Sequence, residues 1–306
     1  MRTGDYDMKN ILIALLLVTF TVSASAATPA QQTFATPEDA ATALVQAAKS
    51  GDTAAIRTVL GNAPGSLSSG DAVADRALRE SFVTAYEAKH AVAKEGDVAK
   101  LTIGNDDFPF AFPIVKSGDR WRFDTDAGKT ELLARRIGEN EIDAINVLKA
   151  IVDAQQQYAS ADRNGDGVYE YARKFVSGPG RHDGLYWVTK SGEPPSPLGN
   201  LIGKAAGEGY KASKDSPTPY HGYYYRMLTG QGKDAPGGAI DYVVHGRTIG
   251  GFAVIAWPAK YASSGIMSFM VNQDGKVYQA DLGANTAARA ATIKRFNPDK
   301  NWSEVK

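Results

Sequence analysis

The chain has 306 residues, 43% of them hydrophobic, with 34 Lys plus Arg balancing 34 Asp plus Glu and no cysteine. At roughly 150 residues per domain this length suggests about two domains, with enough apolar content to give each a core. The charge balance offers no field to nucleic acid or an anionic membrane, and the lack of cysteine excludes disulfides, thiolate nucleophiles, cysteine-ligated zinc and a lipid-bearing N-terminal cysteine.

Residues 11 to 22, ILIALLLVTFTV, form an apolar run shorter than the about 20 residues that a bilayer span takes, and the small residues Ala24 and Ala26 follow. The pattern predicts a secretory signal over residues 1–26, and so a periplasmic or secreted protein with no stable membrane span once it is cleaved. Asp5 and Asp7 offset Arg2 and Lys9 where a signal should be positive, and a start at Met8 gives a cleaner one.

Three helices are predicted next. Thr36, Pro37, Glu38 and Asp39 make a helix start, with Gly51 as its end. Asp52 caps TAAIRTVL up to Gly61, and Asp71 caps a third helix with Ala74, Leu78, Phe82 and Ala85 on one face. VAKLTIG, FAFPIVK and RWRFD then read as strands, the last two joined by a turn at Ser117, Gly118 and Asp119. Helices packed on a small antiparallel sheet make an α+β domain over residues 30–130.

From TDAGKTELLARRI the pattern is helical to about residue 160, with Gly138 as the expected break. Ile142, Ile145, Leu148 and Val152 form one stripe, with Val147, Ile151, Ala154 and Tyr158 beside it, a face wide enough to lie on a sheet. Residues 162–219 read as loops with a short helix around LIGKAAGEGY. YHGYYYRML, AIDYVVHG, FAVIAWP, GIMSFMVN and KVYQADL follow as strands at short intervals, which requires antiparallel pairing. Residues 131–306 are thus predicted as a long helix laid on an antiparallel meander, with the tail FNPDKNWSEVK as a coil anchored by Phe296 and Trp302.

The stretch DRNGDGVYE carries the clearest candidate chemistry. Asp162, Asn164 and Asp166 occupy positions one, three and five of a calcium loop, Gly167 position six, and Val168 would offer its carbonyl at seven. Position twelve, where a bidentate Glu belongs, is Arg173, and Glu170 at position nine is the substitute oxygen. Calcium is therefore the candidate cofactor, against the plainer reading that Asp, Asn and Gly end a helix and turn the chain.

Other signals are weaker. Gly128, Lys129 and Thr130 imitate a phosphate loop, but Phe123 stands where its first glycine is required. The 4 histidines show no metal-binding spacing. GRHDGLYW brings together His182, Asp183, Tyr186 and Trp187: a base with its orienter over an aromatic floor if the protein is a hydrolase, or a ligand-binding surface if it is not. Adjacent His and Asp normally point apart, and no nucleophile elbow occurs, so no catalytic residue is assigned. Tyr223 and Tyr225 fall on one side of their strand and Tyr224 on the other; strand propensity explains them without an exposed platform.

Together, YASADRNGDGVYEYARKF, GRHDGLYW, PPSPLGNLI, YHGYYYRMLTGQGKDAPGGAIDY, GGFAVIAWPAKYASSGIMSFMVNQDGKVYQADLG and FNPDKNW resemble the secreted bacterial domain-of-unknown-function family 2950 over essentially the whole mature chain. That family carries no assigned activity, so the resemblance implies no reaction. AIVDAQQQYA with the strands after it is remotely similar to the globular heads of type IV pilin-like proteins, which place a helix on a meander, some with calcium loops. Pilins begin with an apolar half-helix, whereas another domain precedes the helix here, which counts against polymerisation. Helix and strand order in the first domain faintly resembles nuclear-transport-factor folds. The sequence reads as a non-enzymatic binding or assembly module of the cell envelope, with an envelope protein, peptide or glycan as partner. A periplasmic hydrolase is the alternative.

Overall fold

A computed structural model describes residues 30–61, 68–211 and 218–306. The expected signal over residues 1–26 lies outside them. The chain is α+β, and its first half opens with α1 (Pro37–Ser50), α2 (Thr53–Leu60) and α3 (Ala72–Ala88). Their starts follow from local chemistry. Thr36 Oγ1 accepts the Asp39 N–H at 3.1 Å while Asp39 Oδ2 accepts the Thr36 N–H at 3.2 Å, and Gly51 ends α1 at φ 69°. The buried side of α1 is Ala40, Ala41, Leu44 and Val45.

These helices cover a sheet of β1 (His90–Glu95), β2 (Val98–Ile103), β3 (Phe108–Pro109), β4 (Ile114–Ser117) and β5 (Arg120–Phe123), ordered β1-β2-β4-β5 with β3 also on β2. Ala99, Leu101, Ile114, Trp121 and Phe123 point into the core under the helices. Sequence reasoning missed β1, because HAVAKE lacks strand-forming character and is held by pairing with β2 instead. FAFPIVK is not one strand: Phe110 to Pro113 bend between β3 and β4, and Pro109 and Pro113 lack the N–H a ladder needs.

The helix α4 (Thr125–Ala159) belongs to both halves. Near its start Gly128 lies under the Phe112 ring, and Leu132 packs on the first core. Further along, Ala144, Leu148, Ile151 and Val152 enter the core of the second half. Gly138 does not break it. An exposed glycine inside a helix costs about 1 kcal/mol, less than the packing on either side supplies. Residues 130 and 131, the expected domain boundary, fall inside this helix.

The second half adds α5 (Gly199–Glu208), β6 (Tyr223–Leu228), β7 (Gly230–Gln231), β8 (Ile240–Asp241), β9 (Val243–Val244), β10 (Arg247–Thr248), β11 (Ala253–Pro258), β12 (Met267–Asn272), β13 (Val277–Asp281), α6 (Thr286–Thr292), β14 (Arg295–Phe296) and β15 (Ser303–Glu304). The main sheet is antiparallel throughout, ordered β15-β13-β12-β11-β6. Val254, Ala256, Phe269 and Val271 face α4, whereas Ile255, Met270 and Ala280 face a second core with Tyr242, Ala290 and Phe296. Both faces are covered, which is why FAVIAWP is apolar without alternation. Tyr223 and Tyr225 pack on the α4 side, and Tyr224 sits against Trp257 on the other.

AIDYVVHG does not join the meander. Tyr242 is fully buried with its hydroxyl on Gln231 Oε1 at 2.9 Å, so the segment breaks on either side of it and forms small pairs, β8 with β7 and β9 with β10. The tail is more regular than a coil: β14 lies parallel to β7, and β15 extends the main sheet.

Polar side chains join the halves. Asp71 Oδ1 caps α3 through the N–H groups of Val73 and Ala74, both at 3.1 Å, while its Oδ2 accepts the Tyr210 hydroxyl at 2.8 Å and the Gly222 N–H at 3.1 Å. Glu141 Oε1 on α4 accepts the N–H groups of Ile266 and Met267 at 2.9 Å each. His221 and Gly222, at φ 48° and 72°, form the tight turn that brings Gly222 to Asp71.

Candidate interaction surface

Residues 160–198 leave the end of α4 and lie over the second half with almost no regular structure, so their backbone groups need other partners. Gln155, fully buried on α4, supplies two: it accepts the Ala172 N–H at 2.8 Å and donates to the Ala172 carbonyl at 2.9 Å. Leu185 pins the segment from below, buried and bonded through its N–H to the Lys174 carbonyl.

The calcium-like loop is tightly wired. Asp162 Oδ2 accepts the Gly167 N–H at 2.8 Å, and Oδ1 accepts those of Gly165 at 2.8 Å, Asn164 at 3.2 Å and Asp166 at 3.3 Å. These donors, Gly167 foremost, hold the Asp162 carboxyl below the usual carboxylate range. Asp166 is held low chiefly by the Arg247 guanidinium, whose Nη1 is 2.8 Å from Oδ1. Asn164 Nδ2 donates to Asp166 at 2.8 Å and to Glu170 at 3.3 Å, and Val168 gives its N–H to Asp166. Among the described residues no group of three or more His, Asp or Glu is arranged to hold a metal ion.

The same loop is stitched to the β9–β10 hairpin. Thr248 gives its N–H to Glu170 Oε2 at 3.0 Å, Tyr171 gives its N–H to the Thr248 carbonyl at 2.9 Å, and Arg173 reaches the Gly246 carbonyl at 3.0 Å. Sequence reasoning missed Arg247 and Thr248, which lie about eighty residues away with no motif to mark them.

His182 and Asp183 are near each other in sequence but hold separate partners. His182 is exposed and stacks on Trp187 at 4.3 Å, with the Arg163 guanidinium over the Trp187 ring at 5.7 Å. Asp183 pairs with Lys174 Nζ at 2.7 Å and accepts the Gly178 N–H at 2.8 Å, which together hold its carboxyl low, Lys174 most. Tyr186 and Trp187 are half-buried against the core. Two open cavities, of about 210 and 430 Å³, lie elsewhere, around Arg295 and between Met270 and Trp302.

The segment exposes apolar side chains beside charged ones such as Arg173, Lys174 and Arg181. Five of the ten large hydrophobic side chains exposed among the described residues fall on it or on the hairpin it is tied to: Tyr169 (63% exposed), Val176 and Val188 (84%), then Val244 on β9 and Ile249 just after β10.

A family profile described as "Protein of unknown function (DUF2950)" matches residues 31–305. The chain belongs to that family. No curated protein and no solved structure is detectably similar to this DUF2950 chain, so the resemblance to pilin heads expected from the sequence has no support in these comparisons. No helix of its described residues is long and apolar enough to cross a membrane.

Proposed function

We propose that this DUF2950 protein is an exported, non-enzymatic binding or assembly module, acting in the periplasm or outside the cell, and that it engages an envelope protein, peptide or glycan through the 160–190 segment and the adjoining 240–249 strands. The observation that carries this is the exposure of Tyr169, Val176, Val188, Val244 and Ile249 on a segment, and the hairpin tied to it, that hydrogen bonds from Gln155 and Glu170 hold in place. Apolar side chains presented on a fixed frame bind with little ordering cost. His182 and Asp183, which a hydrolase would couple, are each engaged elsewhere.

Cross-linking pull-down from the native envelope tests the proposal. Val188→Asp together with Ile249→Asp is expected to abolish capture of the specific partner while leaving the melting temperature unchanged. Equal capture by the double variant refutes it.

Calcium enters the proposal as a competitor of Arg247. The oxygens would come from Asp162, Asn164, Asp166, Glu170 and the Val168 carbonyl, and the guanidinium now on Asp166 would have to leave. Binding is expected no tighter than about millimolar, the range of extracellular modules, and tighter in Arg247→Ala. Calorimetric titration with no heat in either protein removes calcium.

A further inference from the structure

We propose that the free edge of β1 is a self-association surface, on which β1 of a second copy pairs antiparallel about a twofold axis at Val92. This edge belongs to the first half of the chain and is independent of the surface proposed above. Gly104 gives its N–H to the Lys89 carbonyl at 2.9 Å, continuing the β1–β2 register, so Ala91, Ala93 and Glu95 turn their backbone groups toward β2, while the Lys89 N–H bonds to the Ala85 carbonyl at 3.1 Å. Those of His90, Val92 and Lys94 therefore point away from the sheet, and no described backbone group pairs with them.

Sheet edges are normally protected by proline, a bulge, a projecting lysine or a covering segment. The opposite edge of this sheet has such a cover, since Phe34 and Trp121 exchange both backbone hydrogen bonds at 2.8 and 2.9 Å. β1 has no proline, and its six consecutive pairs with β2 leave no bulge. Lys94 does not guard the edge either, because its ammonium lies over the Trp121 ring at 5.1 Å.

The residues of β1 also fit a second copy. Pairing about Val92 sets Val92 against itself and Ala91 against Ala93, small side chains that allow close approach. It sets Lys89 opposite Glu95 twice, by symmetry; both are exposed, and each would be shared with the ion-pair partner it holds in its own protomer, Asp107 at 2.7 Å and Lys100 at 3.4 Å. His90 would oppose Lys94, but His90 is stacked on Tyr86 at 3.8 Å and Lys94 on Trp121, so each is turned to its own protomer. A single strand pair buries little surface, so the dimer is expected to be weak.

Sedimentation equilibrium of the mature chain up to about 0.5 mM is expected to show a monomer–dimer equilibrium at the weak end of specific association. Val92→Pro removes one outward N–H per chain, two per dimer, and keeps an apolar side chain of similar size where Val92 packs on the core, so it should weaken association about thirtyfold while the monomer stays folded by circular dichroism. Lys89→Glu or Glu95→Lys alone should weaken association, and the two together should restore it. That rescue separates a dimer through β1 from one through any other surface. A strict monomer across the concentration range, or a dimer indifferent to all these substitutions, overturns the proposal; so does a monomer whose β1 captures an unrelated extended peptide.

Discussion

Replacing Asp71 by alanine should cost about 4 kcal/mol. The side chain is almost fully buried, and its two oxygens serve different halves of the molecule. Losing the Oδ1 cap on α3 is worth about 1 kcal/mol. Losing Oδ2 strands two donors, the half-buried Tyr210 hydroxyl and the buried Gly222 N–H, at about 1.5 kcal/mol each. Asp71→Asn keeps an oxygen for the cap but presents an amide to the same two donors. The hydroxyl can rotate to accept, the N–H cannot, and the cost should fall to about 2 kcal/mol. Urea denaturation of the protein, with midpoint and slope fitted together, measures both values. A double-mutant cycle with Tyr210→Phe should give a coupling of about 1 kcal/mol. If Asp71→Ala loses less than about 1 kcal/mol, or Asp71→Asn matches wild type, the link between halves does not run through this carboxylate.

Three further outcomes are expected. A Cβ at Gly128 would lie 2.0 Å from the Phe112 ring, so Gly128→Ala should lose about 1–3 kcal/mol in the same denaturation assay; a neutral result would show that the ring can move aside. Gly138 is helical and exposed, and a methyl group added there would meet nothing within 4 Å, so Gly138→Ala should raise stability by up to about 1 kcal/mol; a lower melting temperature would contradict the reading. Asp162, Asp166 and Asp183 are depressed by backbone N–H groups, Arg247 and Lys174 respectively. Depressed carboxyls stabilise the folded chain fully above the usual carboxylate range and lose that effect as pH falls through their lowered values. Amide exchange below about pH 4 should therefore rise in residues 162–183 before it rises in α4, and the reverse order would count against this assignment.

The helices were legible because their signals are local. Thr36, Asp52 and Asp71 each sit beside the N–H groups they cap, and the α4 stripe repeats at helical spacing. β1 was not legible, since nothing in HAVAKE prefers a strand until VAKLTI lies beside it. Tyr242 likewise broke a strand for a core that includes residues some fifty positions away, such as Phe296. In the candidate surface the loop at Asp162 announced its turn chemistry. The hairpin that carries Arg247 and Thr248 could not be foreseen, because the pairing depends on where the chain returns. Nor could any local pattern show that Val188 would stay in solvent while Leu185, three residues earlier, is completely covered.

At 1.5 Å per residue α4 is a rod about 52 Å long whose two ends are embedded in different cores. Severing the polypeptide at residue 130 would therefore strip the first core of Leu132 and leave it only a frayed stump of α4 beside Phe112. Neither fragment should survive alone, and a melt of the intact protein should show one transition where two separable modules would show two.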